Sequence, residues 1–250
     1  MVDSSVLQFR SPRQARPFST GPNPLAAALA QALAVVPQRP AGLAACVAYL
    51  QEDPELLATR EIGVRALIRF RDALFCAPGR EQQMRAVWLE SLVTGCVASQ
   101  LARLACLDGA VLTAGGLLHR LGDIWALTAL ASAEATTQVK LLGAAANEAF
   151  AARDADLAAR MVAAWQLTPT VAKAVLGWRS CLDTGSAIAS LSPAQAVYLS
   201  HLLALEQLHS QFLTPGVIDA AAAELDVSPE LLDAVRAAAA GADSLLARLD

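Results

Sequence analysis

His119 is the residue in this 250-residue chain whose chemistry asks first for an explanation. It follows the apolar run Gly115-Gly116-Leu117-Leu118 and precedes Arg120-Leu121-Gly122-Asp123, where an imidazole is costly to bury unless it has a partner. Carboxylates and a second imidazole that a fold could bring to it are Glu90, Asp154 and His201. Imidazole and carboxylate together suit Zn or Fe, so Glu90, His119, Asp154 and His201 form one possible ligand set. Arg120 argues against that set. A guanidinium stays protonated, offers no lone pair and repels a cation. The alternative is that Arg120 fills the position with an organic cation, pairs with Glu90, Asp154 or Asp123, and leaves His119 as a hydrogen-bonded core residue.

Other chemistries find no support. The chain contains no G-x-x-x-x-G-K-[ST] loop, no G-x-G-x-x-G turn after a strand and no G-x-S-x-G elbow. His209, in Gln207-Leu208-His209-Ser210, is expected on a helix surface without a ligand role. Trp165 and Trp178 are expected in the core or along a groove. The five cysteines are odd in number, form no C-x-x-C pair and lie in apolar surroundings, which suggests buried reduced thiols.

The elements that would position these residues are helices. Hydrophobic residues make up 55% of the chain and aromatics only 5%, so the apolar excess is mainly Ala and Leu, strong helix formers. The expected class is all-α, as one compact multi-helix domain over residues 22–250. A polar cap followed by proline recurs at Asn23-Pro24, Asp53-Pro54, Thr168-Pro169, Ser192-Pro193, Thr214-Pro215 and Ser228-Pro229, each a candidate helix start. Apolar periodicity adds helices over 43–50, 80–107, 111–130, 138–150 and 154–165. In the second of these, Val87, Leu92, Val93, Cys96, Val97, Leu101, Leu104 and Leu107 describe one apolar face. Asp108-Gly109 is expected to end it, with Gly109 in a left-handed cap.

Residues 1–21, with Arg10, Arg13 and Arg16 and little periodicity, suggest a disordered basic tail. A net charge of −4 and a pI near 5.4 argue against a nucleic-acid surface. A mean hydropathy of +0.43 invites a membrane reading, but the long charge-free run Thr184 to Leu205 holds serines, Gln195 and His201. No membrane span and no signal core are expected, and the expected compartment is cytoplasmic.

The helix ending at His119 resembles the central helix of the HD superfamily of metal-dependent phosphohydrolases, where the apolar run ends in His-Asp. Trp88 with Ser91, and Leu157 to Trp165-Gln166-Leu167 followed by Val171, Ala174 and Val175, resemble the HDOD group, HD-related domains of bacterial signalling proteins regarded as non-catalytic. The likeness is best over residues 80–212 and weak over 22–78, where Asp53-Pro54 and Leu56 are its only fragment. Residues 214–250 are extra C-terminal helices. The resemblance implies that Glu90 and Asp154 stand where ligand histidines belong in catalytic relatives, and that Arg120 replaces the ligand Asp. It places Gly177-Trp178 at a His-His pair and His201 near a distal Asp. It therefore implies a degenerate pocket of Glu90, His119, Arg120, Asp154 and His201, no cofactor, no enzyme activity, and other signalling proteins as partners. The rival expectation is a divergent phosphohydrolase acting on a nucleotide or cyclic dinucleotide.

Overall fold

The longest helix organises the chain because its middle is buried on every side. The computed structural model describes residues 24–52, 60–138, 154–181, 191–239 and 242–249. The expected basic tail, the caps at Asn23 and Asp53, Leu56, and nearly all of the helix expected over 138–150 lie outside the described residues. In chain order the α-helices are α1 (Pro24–Ala32), α2 (Leu43–Leu50), α3 (Glu61–Leu74), α4 (Glu81–Leu104), α5 (Gly109–Leu118), α6 (Leu121–Thr137), α7 (Asp154–Ala164), α8 (Pro169–Gly177), α9 (Pro193–His209), α10 (Val217–Glu224), α11 (Pro229–Ala239) and α12 (Ala242–Leu249). No strand occurs among the described residues, and the class is all-α.

Every residue of α4 from Ser91 to Ala102 is buried, so the expected single apolar face is instead a fully enclosed rod. Its N-terminal half shares a core with α2, α3, α6, α7 and α12, through Trp88, Leu67, Phe70 and Trp125. Its C-terminal half shares another with α9, α10 and α11, through Leu101, Leu203, Ile218 and Leu232. Leu104, assigned to the same face, is 40% exposed.

The crossing of α4 and α5 is a backbone contact. A Cβ on Gly116 would stand 2.8 Å from both the Gly95 Cα and the Thr94 carbonyl oxygen, so only glycine permits the approach that buries this part of α5.

Caps expected at Thr168, Ser192 and Ser228 are present. The Thr168 hydroxyl accepts from the Val171 N–H, the Ser228 hydroxyl accepts from the Leu231 N–H, and Ser192 forms a full capping box with Gln195. Thr214-Pro215 opens no helix. It lies in a turn before Gly216, whose left-handed backbone (φ 79°) starts α10 without a side-chain cap. Asp108-Gly109 begins a helix rather than ending one: the Asp108 Oδ1 accepts from the Val111 N–H at 3.0 Å. The left-handed residue after α4 is Cys106 (φ 53°), with Leu107 N–H donating to the Ala102 carbonyl, six residues closed into one turn. Helix α3 was signalled by no cap, because Arg60 precedes it with no capping side chain.

Cys46, Cys96 and Cys181 are buried as expected, while Cys76 and Cys106 are exposed. Burial pushes the Cys96 thiol up to about 12 and the Cys46 thiol to about 11, which keeps both protonated and inert. No described helix is long and apolar enough to cross a membrane.

Candidate functional site

The single helix expected over 111–130 is two helices, and the break falls at His119-Arg120. Neither proline nor a capping side chain causes it. The His119 imidazole bends back, and its Nδ1 meets the Gly116 carbonyl oxygen at 2.6 Å. That oxygen is the one a continuing helix would offer to the Arg120 N–H. The His119 carbonyl is taken by the Trp178 indole N–H at 2.9 Å. The Asp123 N–H, its ordinary partner in a continuous helix, is directed at the Asp154 carboxylate from α7. Three long-range or side-chain bonds thus replace the helix ladder where the chain turns.

Two clusters meet at this turn. The first is aromatic and buried. His119 Nε2 lies 3.1 Å from His201 Nδ1 on α9, and the Trp178 ring stands edge-on to both imidazoles, with centroids 4.9 Å and 4.7 Å away. A carbonyl can only accept, so His119 Nδ1 carries the proton and Nε2 accepts from the His201 Nδ1–H. Burial drives the His119 imidazole well below its ordinary value, and His201 and Arg120 add to the effect. Burial, with the guanidiniums of Arg120 and Arg179, lowers His201 to about 3. Both rings are neutral at pH 7.

The second cluster is charged and alternates in sign. Arg120 NH1 donates to Glu90 Oε2 on α4, and Arg120 Nε donates to Asp123 Oδ2. Arg179 NH2 donates to the same Asp123 oxygen at 3.2 Å and pairs with Asp154 Oδ2 at 2.7 Å. The Arg179 guanidinium also lies 4.7 Å above the Trp178 ring centre, joining the two clusters. The sequence Glu90–Arg120–Asp123–Arg179–Asp154 therefore ties α4, α6 and α7 to the segment after α8. Burial opposes the Arg120 charge, but Asp123 and Glu90 outweigh it and hold its ionisation above the ordinary range.

Asp154 is the strained member. Burial raises its carboxyl, and the Asp123 charge raises it further, against Arg179 and Arg120. Its Oδ1 is buried without a hydrogen-bond partner, pressed against Gly122. A Cβ on Gly122 would fall 1.9 Å from that oxygen and 2.2 Å from the Asp154 carbonyl oxygen, so the glycine is what admits α7. His209, at the end of α9, brings Nε2 to 3.8 Å from Glu90 Oε1.

The structure thus brings Glu90, His119, Arg120, Asp154 and His201 into one region but divides them by chemistry. The four-residue ligand set does not converge: among the described residues no group of three His, Cys, Asp or Glu side chains could hold a metal ion. The imidazole lone pair of His119 is spent on His201, and the carboxylates face guanidiniums. A divalent cation of the kind the HD superfamily uses does not fit this donor set. Trp165 does not line a groove either. It is 4% exposed, and its indole donates to the Pro37 carbonyl at 2.8 Å. Trp178 is likewise inside, as the third ring of the histidine cluster. Sequence reasoning missed Arg179 and gave Asp123 only as a local partner of Arg120; Arg179 directly follows Trp178, and that adjacency was the available signal.

Residues 65–178 match the family model described as the HDOD domain. That span includes Glu90, His119, Arg120, Asp123 and Asp154 and ends at Trp178, one residue before Arg179. No curated protein and no solved structure matches the chain. Helical architecture, the apolar helix ending at His119 and the matched span lead to one assignment: residues 65–178 of this chain are an HDOD domain.

Proposed function

We propose that this protein is a non-enzymatic regulatory module of bacterial signal transduction, acting in the cytoplasm through contacts with other signalling proteins. The observation that carries the reading is the position of Arg120. Where the HD doublet would supply a metal-binding carboxylate, this chain places a guanidinium, and Glu90 and Asp123 hold it there. Hydrolysis of a phosphate ester by the HD route needs a metal to activate water and hold the phosphate. Here the described residues that could ligate one are committed to arginines or to each other. The remaining role for such a scaffold is to present a surface.

The test is direct. Purified full-length protein is expected to carry no stoichiometric Zn, Mn or Fe by elemental analysis. It is also expected to leave a cyclic dinucleotide and an aryl phosphodiester intact in the presence of Mn²⁺. About one metal per chain, lost on replacing His119 with Ala, would overturn the reading in favour of a divergent phosphohydrolase.

A further inference from the structure

The carboxylates of Glu90 and Asp123 converge on one guanidinium, and the group they hold belongs to the chain itself. Arg120 is mostly covered: its side chain keeps 21% of its exposure, and Glu90 keeps 13%. The two acceptors come from different helices, α4 and the first turn of α6, so their separation is fixed by packing and not by the arginine alone. Asp154 adds a third carboxylate that reaches the same region through Arg179, leaving three acidic groups to two guanidiniums. The geometry of the acceptors is bidentate, addressed by Nε and NH1, which matches a planar ion with fixed N–H directions better than a spherical one.

We propose that Glu90 and Asp123 form a preorganised site for a planar organic cation, a guanidinium or alkylguanidinium, which Arg120 occupies in cis. This rests on the reading above, that the pocket holds no metal, and extends it: the site is selective for guanidinium over a divalent ion. It implies that removing the Arg120 side chain opens a cavity that free guanidinium fills. It also implies that a partner's arginine could enter only by displacing Arg120.

The experiment compares full-length wild type, Arg120→Ala, and Glu90→Gln/Arg120→Ala by thermal unfolding. Removing the cation takes the guanidinium from partly buried Glu90 and leaves Asp123 with Arg179 alone, so Arg120→Ala is expected to lose roughly 5–15 °C of Tm. Low-millimolar guanidinium chloride, far below denaturing concentrations, is expected to restore about a third or more of that loss, because a ligand that binds only the folded state stabilises it. Matched sodium chloride should not restore it. Wild type, whose site is filled, should not rise, and neither should the double variant, which lacks one acceptor. Should Arg120→Ala fail to fold, Arg120→Gln, which keeps volume without charge, takes its place in the same titration. No rise with guanidinium, or an equal rise in the double variant, overturns the proposal. A larger rise with Mn²⁺ than with guanidinium overturns the selectivity for a planar ion. Neither failure touches the absence of hydrolysis in wild type, which is measured separately.

Discussion

Acidification should unfold this protein through its buried histidine pair, and His201 gives the magnitude. In the folded state its imidazole is held to about 3, against an ordinary 6.5, by burial and by the guanidiniums of Arg120 and Arg179. Between those values the unfolded chain binds a proton at this residue and the folded chain does not. Stability therefore rises with pH across that window and falls as pH drops below about 6.5. Each pH unit well inside the window is worth about 1.4 kcal/mol, so His201 alone withdraws about 2 kcal/mol between pH 7 and pH 5. His119 is displaced in the same direction and adds to the loss. The opposing contribution is Asp154, whose raised carboxyl favours the folded state at the acid end and mildly offsets the histidines. The informative perturbation is His201→Asn. Asparagine can keep an N–H directed at His119 Nε2 but does not titrate. The assay is urea unfolding of both proteins at pH 7, 6 and 5. The variant is expected to be the less stable at pH 7, since it loses the ring packing against Trp178. The difference should then move by about 2 kcal/mol in the variant's favour by pH 5. Parallel stability curves for the two proteins between pH 7 and pH 5 would refute the reasoning, since they would mean His201 takes up its proton in the folded state.

Gly122→Ala should cost roughly 3 kcal/mol or more in urea unfolding, because the added Cβ meets the Asp154 carboxylate and backbone at under 2.5 Å and α7 must move. Glu90→Gln should destabilise by roughly 1–3 kcal/mol, less than Arg120→Ala, since Asp123 still pairs with Arg120; an equal loss would mean Asp123 contributes little. Gln166→Gly should raise stability by about 1 kcal/mol, because Gln166 is exposed and sits in the left-handed region at φ 52°, and thermal unfolding would show it as a few degrees of Tm. Removing residues 1–21 should leave Tm within a few degrees, as that stretch has no apolar periodicity to bury.

Local chemistry was sufficient at three helix starts made by neighbours in sequence, though not at Asp108, whose cap is equally local. Thr168-Pro169, Ser192-Pro193 with Gln195, and Ser228-Pro229 could be placed because each cap closes within three residues. The all-α class followed from Ala and Leu content for the same reason: helix propensity is a property of short windows. The pairing of Arg120 with Glu90 was expected from charge and from the HD likeness, and the structure contains it. What no window could show is the break at His119-Arg120. Val111 to Leu130 is apolar without proline or cap, and the helix ends there because Trp178, 59 residues on, takes the His119 carbonyl while the His119 ring takes that of Gly116. The same holds for the histidine pair, whose members are 82 residues apart, and for Arg179, which has meaning only once α7 and α8 have packed beside α6. The burial of α4 on every side misled in the other direction: periodicity marked one face, but whether the other faces meet solvent depends on how many helices surround it. The sequence by itself determined the all-α class, several of the helix starts and that the Arg120 guanidinium cannot ligate a metal. Only the tertiary structure decided where the central helix breaks and which charges neutralise one another, because those bonds join residues that chain connectivity leaves far apart.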